Sequence, residues 1–184
     1  MQDLKTKFQK EIKPKLKEEL KLSSVDAVPK ITKITINTSS RDFKTEKEFL
    51  AKSKAWISLI TGQNPSERRS KNSIAAFNLR EGDVVGLKVT LRGDRMYDFF
   101  QKLVSIVLPR LKDFQGVSRN AFDNEGNYSL GLSEQIVFPE IEYDKIGRIQ
   151  GLQIVISTSA KDPKSSERLL EEMGMPFTKD NTNN

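Results

Sequence analysis

The chain has 184 residues, with 31 Lys and Arg against 25 Asp and Glu, a formal charge of +6, and neither Cys nor His. Those absences exclude disulfides, thiolate or imidazole metal ligands, a cysteine nucleophile and a Ser-His-Asp triad, while the excess of cations favours an anionic partner. The length suits one domain, expected over residues 1–177 with a disordered polar tail over 178–184, and no apolar run approaches the roughly 20 residues that span a bilayer. The opening Met-Gln-Asp-Leu-Lys lacks the hydrophobic stretch of a secretory signal, and no membrane partner is expected.

In chain order, Leu4, Phe8, Ile12, Leu16 and Leu20 recur every four residues and predict an amphipathic helix over Leu4 to Leu22, interrupted or kinked at Pro14. A strand follows over Ile31 to Thr38, with Ile34 and Ile36 alternating with Lys33, Thr35 and Asn37, and Ser39 to Phe43 reads as a turn. Glu46 to Thr61 reads as a helix with Phe49, Leu50, Trp56, Ile57 and Ile60 on one stripe and Gly62 as its stop. Trp56, inside that stripe, reads as a core residue. The polar run Gln63 to Asn72 predicts a projecting loop carrying Arg68, Arg69 and Lys71, and Ile74 to Arg80 a second strand.

Residues 82 to 97 carry the sharpest pattern, because Leu87, Val89 and Leu91 alternate with Lys88, Thr90 and Arg92. One face of that strand suits a core; the other presents cations and hydrogen-bond donors. Asp94 is placed to cap an apolar helix containing Met96, Tyr97, Phe99, Phe100, Leu103, Val104 and Val107, ending before Pro109. Asp123 to Gly126 reads as a hairpin turn, Asn127 to Leu132 and Gln150 to Ser159 as strands, and Pro163 to Met173 as the last helix. Strands and helices in this order predict an α+β fold, a largely antiparallel sheet with helices packed on one face and the other face exposed.

Catalytic and metal motifs fail on spacing. In Gly82 to Lys88 only three residues separate the glycines and Leu87 stands where a phosphate loop needs lysine. Asp123, Glu125, Asn127 and Glu134 have calcium-loop spacing, but Tyr128 occupies the obligatory glycine position. No carboxylate pair lies in an apolar context that would raise one pKa for acid–base work. Neither an enzyme nor a metal or cofactor is expected.

Several runs together resemble one family: Lys71-Asn-Ser-Ile-Ala-Ala-Phe-Asn-Leu-Arg-Glu-Gly82, Lys88-Val-Thr-Leu-Arg-Gly-Asp-Arg-Met-Tyr97, Leu108-Pro-Arg-Leu-Lys-Asp-Phe114, Asn127-Tyr-Ser-Leu-Gly131, Glu134-Gln-Ile-Val-Phe-Pro-Glu-Ile141 and Leu169-Leu-Glu-Glu-Met-Gly-Met-Pro-Phe177. In order and spacing they are similar to the bacterial large-subunit ribosomal protein L-five family, the 5S rRNA binders of the central protuberance. The resemblance implies an α+β sandwich holding 5S rRNA on its exposed sheet face, with Asn37, Gln63 and Thr90 as central contacts. Lys33, Thr35, Lys88 and Arg92 are supporting candidates from the strand alternation. It also implies that the basic segment approaches the elbow of P-site tRNA through Arg68, Arg69, Lys71 and Arg80. Further partners implied are large-subunit rRNA, neighbouring ribosomal proteins and a small-subunit protein across the subunit interface, the last assigned to residues 110–147. The location the resemblance implies is the ribosome, in the cytoplasm, and it does not distinguish a bacterial from an organellar ribosome.

The sequence departs from the family pattern twice. The turn after the first strand, Asn37-Thr-Ser-Ser-Arg-Asp42, has no glycine where the family has a glycine-rich one. Pro65-Ser-Glu67 and Asn72 replace residues that tend to be apolar and basic respectively, and Glu67 is expected to weaken attraction to phosphate. The competing reading is a nonspecific basic RNA chaperone, or a nucleic-acid enzyme using scattered carboxylates with Mg²⁺.

Overall fold

The computed structural model describes residues 4–142 and 146–178. The expected tail beyond Thr178, and residues 143–145 of the segment assigned to the subunit bridge, lie outside the described residues. Among the described residues, β1 (Ile31–Ser39), β2 (Ser66–Arg69), β3 (Val84–Leu91), β4 (Tyr128–Leu132) and β5 (Leu152–Thr158) form one sheet in the order β2-β3-β1-β5-β4. The β2 and β3 strands are antiparallel. Thr38 at the end of β1 donates to the Gly151 carbonyl before β5, while Ser159 after β5 donates to the Lys30 carbonyl before β1, so these strands also run in opposite directions. An α+β architecture on an antiparallel sheet agrees with the sequence pattern.

The chain forms two compact units, one built from the residues up to 34, 92–130 and those from 155 on, the other from 35–91 and 131–154. In the first unit, α1 (residues 4–19) buries Leu4, Phe8, Ile12 and Leu16 as the four-residue spacing requires. The helix continues through Pro14: a π turn over Phe8–Ile12 precedes the proline, and Pro14 then occupies the first turn of the next α segment, the position where a helix tolerates proline. Against α1 lies α3 (residues 94–107), with the Phe8 and Tyr97 ring centroids 6.2 Å apart. Asp94 is not the cap that the sequence predicts. Gly93, at φ +61°, holds the cap position, and the Asp94 carboxylate in the first turn meets Lys5 Nζ at 2.5 Å. Near a helix N-terminus a carboxylate is favourable without capping. The last helix, α4 (Pro163–Glu172), is capped by Asp162, whose carboxylate accepts from the Ser165 N–H at 2.8 Å, and pairs with α1 through Lys15–Glu172 and Glu19–Arg168. Asp123–Gly126 turns as expected, the Gly126 N–H reaching the Asp123 carbonyl. The Asp123 carboxylate, held below the usual carboxylate range chiefly by a hydrogen bond from the Asn127 side chain, is committed to this turn.

In the second unit, α2 (Lys47–Thr61) packs on β3 and buries Phe49, Ser53, Trp56, Ile57, Ile60 and Thr61. Leu50 is only half-buried, and Trp56 is a core residue as read. Gly62 ends the helix at φ +64°, the left-handed conformation that glycine adopts without a steric penalty. The glycine-free turn after β1 becomes a 3₁₀ turn over Arg41–Lys44 with no positive φ, started by Ser40 Oγ accepting from the Asp42 N–H. Arg148 holds that turn from across, with Nη1 2.7 Å from Asp42, Nη2 2.9 Å from Glu46 and its guanidinium over the Phe49 ring.

Residues 63–80 correct the sequence reading. The polar run contains the strand, Ser66–Arg69, whereas the apolar Ile74 to Arg80 contains a 3₁₀ turn over Ala75–Phe77 closed by an isolated Ile74–Leu79 bridge. Charged side chains suit an edge strand, because they discourage pairing with another chain, and β2 is the edge of this sheet. What projects is therefore the segment 70–83, not 63–72.

Candidate nucleic-acid interface

Strand alternation sorts the side chains of β1 and β3 by face. Ile34, Ile36, Leu87, Val89 and Leu91 are buried, and Lys33, Thr35, Asn37, Lys88 and Thr90 are partly exposed. Because α2 packs on β3 from the buried side, the opposite side keeps solvent access. No described residue offers the side chains of Lys33, Thr35, Asn37, Lys88, Thr90 or Arg92 a hydrogen bond or an ion pair. Half-buried polar groups without protein partners are free to satisfy a ligand's donors and acceptors. Gly86 lets β1 and β3 approach: a Cβ there would stand 3.1 Å from the Thr38 carbonyl oxygen.

The antiparallel register extends this polar face onto β2. Ser66 lies opposite Lys88 and Arg68 opposite Gly86, so both share the Lys88 and Thr90 face, whereas Glu67 lies opposite the buried Leu87. Glu67 accordingly turns toward the helix side, where Lys54 of α2 meets it at 2.6 Å and Arg69 at 3.2 Å. The hydrogen bond from Lys54 holds its carboxyl below the usual carboxylate range. Its charge is therefore matched by two cations, Lys54 and Arg69.

The candidates thus separate. Thr35, Asn37, Lys88 and Thr90 come together on adjacent strands, with Lys33 on β1 and exposed Arg92 directly after β3. Gln63 lies off the sheet, in the turn after α2, its backbone N–H bonded to Thr61 Oγ1. Arg68 and Arg69 stand on β2, Arg69 bound to Glu67 and the Gly82 carbonyl, while Lys71 and Arg80 lie within the projecting segment. Sequence reasoning missed Ser66, because the register that puts it beside Lys88 is not visible until β2 is recognised as a strand.

Residues 24–80 match the family described as Ribosomal protein L5, and residues 84–177 match the C-terminus of the same ribosomal family. The chain belongs to the ribosomal protein L5 family. It is 52% identical over 176 residues to the large ribosomal subunit protein uL5 of Microcystis aeruginosa, covering 96% of this chain and 98% of that one. Membership in the L5 family makes the chain a structural, non-enzymatic constituent of the large ribosomal subunit, and its partners include rRNA and ribosomal proteins. Its location is that of the ribosome, in the cytoplasm for a bacterial-type member. No helix among the described residues is long and apolar enough to cross a membrane.

Proposed function

We propose that the polar face of β1 and β3 holds 5S rRNA, that the basic strip from Arg68 to Arg80 contacts P-site tRNA, and that residues 110–147 help bridge to a small-subunit protein. The observation that carries the first part is the set of partly exposed side chains Thr35, Asn37, Lys88 and Thr90, all without partners among the described residues. Short hydroxyl and amide groups suit the shallow minor groove of RNA, where 2′-hydroxyls and base edges are available. Lys33, Lys88 and Arg92 supply the salt-dependent share of affinity. Gln63 acts beside this face rather than on it. Residues 1–177 work in this reading as one ribosomal-protein domain.

The test is binding of the purified chain to 5S rRNA and to a tRNA of similar length across a salt series, with Thr90→Ala and Asn37→Ala alongside. Tight binding to 5S rRNA, weakened in each variant by more than the ~1 kcal/mol of an ordinary hydrogen bond, supports the sheet-face contact. Equal binding of both RNAs with a steep salt slope and unaffected variants overturns it in favour of a nonspecific charged binder.

A further inference from the structure

The segment 70–83 has a feature that charge alone does not explain. Two large apolar side chains stand in solvent on one short turn, Phe77 58% exposed and Ile74 41%. A groove of about 410 Å³ is lined by Phe77, Leu79 and Val85 together with Ser39, Ser40, Arg41 and Lys44. The Arg41 guanidinium lies over the Phe77 ring, 5.8 Å from its centroid. Lys44 donates its ammonium to the Asn78 carbonyl, and Asn78 sits in the left-handed region at φ +50°. That bond ties the turn carrying Phe77 to the 3₁₀ turn after β1.

Resting on the contact of this segment with RNA proposed above, we propose that the groove takes one unstacked nucleotide, its base on the Phe77 ring. An exposed aromatic ring beside an apolar wall is a stacking platform, and every base has a π-face to offer it. Charge decides the class of occupant, because the lining of the groove includes Arg41 and Lys44 and no carboxylate. An apolar peptide would leave those cations unmatched, whereas a nucleotide brings its own phosphate. Arg41 holds the ring face only through an exposed cation–π contact; the base takes that face and the guanidinium moves to the phosphate. Ser39 and Ser40 also line the groove and have hydroxyl protons to donate to the sugar or base edge, Ser40 while accepting from the Asp42 N–H.

The test uses the full chain with two RNA hairpins of identical stem, one carrying a single unpaired 2-aminopurine in its loop and one an abasic residue at that place. The parent is expected to bind the intact hairpin about 5- to 150-fold more tightly than the abasic one, the range for one base–aromatic stack, with quenching of the 2-aminopurine. Phe77→Ala removes that preference and the quenching, Phe77→Tyr restores both, and neither changes the salt slope. Arg41→Ala lowers the salt slope by about one. Since Phe77 is exposed, the Ala variant should unfold at the parent's temperature, which a thermal melt checks. Equal binding of the two hairpins by the parent overturns the inference and leaves the groove to an apolar side chain of a protein neighbour. A tRNA that binds in an Arg68- and Lys71-dependent way without any effect of Phe77→Ala also overturns it, while leaving the tRNA contact intact. Base-dependent hairpin binding that tRNA cannot compete away supports the nucleotide groove and removes the tRNA contact instead.

Discussion

The outer face of β1 and β3 and the segment from Ser70 to Asp83 both present cations, Lys33 and Lys88 on the one and Lys71 and Arg80, balanced by Glu81 and Asp83, on the other, but they hold them in opposite ways. On the strands, Thr35, Asn37, Lys88 and Thr90 each have a buried neighbour on either side in sequence, so Lys88 and Thr90 are fixed by Leu87, Val89 and Leu91 beneath. The segment 70–83 has no buried residue; it is held by backbone bonds such as Ser70–Asp83 and Ile74–Leu79 and by the Lys44–Asn78 bond. A face whose geometry is set by a core can read the spacing of groups on a folded RNA, because its donors do not need to be ordered on binding. A turn held by a few exposed hydrogen bonds opens at lower free energy and adapts to what it meets.

The largest effect expected from this contrast comes from the core beneath the strands. Leu87→Ala, at a fully buried site, should cost about 2–5 kcal/mol of folding stability by chemical denaturation, and lose RNA binding with it. A variant that loses no stability would show that the face is not set by that core. Next, Thr90→Ala and Asn37→Ala should each weaken 5S rRNA binding about fivefold or more while stability stays within about half a kcal/mol, since the lost groups contact no partner among the described residues. Arg68→Ala should weaken binding of any RNA in a filter or fluorescence titration and lower the salt slope by about one, and Arg69→Ala should do less, because Arg69 is already paired with Glu67. The smallest effect belongs to Glu67→Gln. With its folded pKa below the ordinary 4.5, Glu67 contributes stability that is present above about pH 4.5 and lost as pH falls through the folded value. The Gln variant should therefore show a slightly shallower acid limb in an unfolding series, small because the pair is solvent-accessible.

Much of this was legible in the sequence. The alternation in β1 and β3, the four-residue spacing of α1 and the stop at Gly62 each follow from a local pattern that packing reinforces. The errors fell where tertiary context outweighed local preference. Ser66-Glu-Arg-Arg69 has no apolar residue to signal a strand, yet the backbone of β3 offers it a ladder, and an edge strand does not require a buried face. Ile74-Ala-Ala-Phe77 looks like a strand but has no partner beyond the single bridge to Leu79. Asp94 carries the residue type of a cap, but Gly93 takes the strained backbone position and frees the carboxylate for Lys5. The site followed the same rule: Lys88 and Thr90 were readable from alternation, whereas the side that Arg68 and Glu67 face depended on a register set by β3.

That register slips once, between Arg68 and Arg69, where the partner on β3 jumps from Gly86 to Val84 and leaves Val85 as an extra residue. A bulge of this kind absorbs a mismatch in strand length and bends the ladder where it occurs. Ser66 pairs with Lys88 on the far side of that bulge from the loop. Residues can accordingly be inserted into or deleted from the span between Ser70 and Asp83 without shifting Lys88 and Thr90 to the wrong side of their strand. The two surfaces can diversify separately, one tracking the shape of its RNA and the other changing length and chemistry as its neighbour changes.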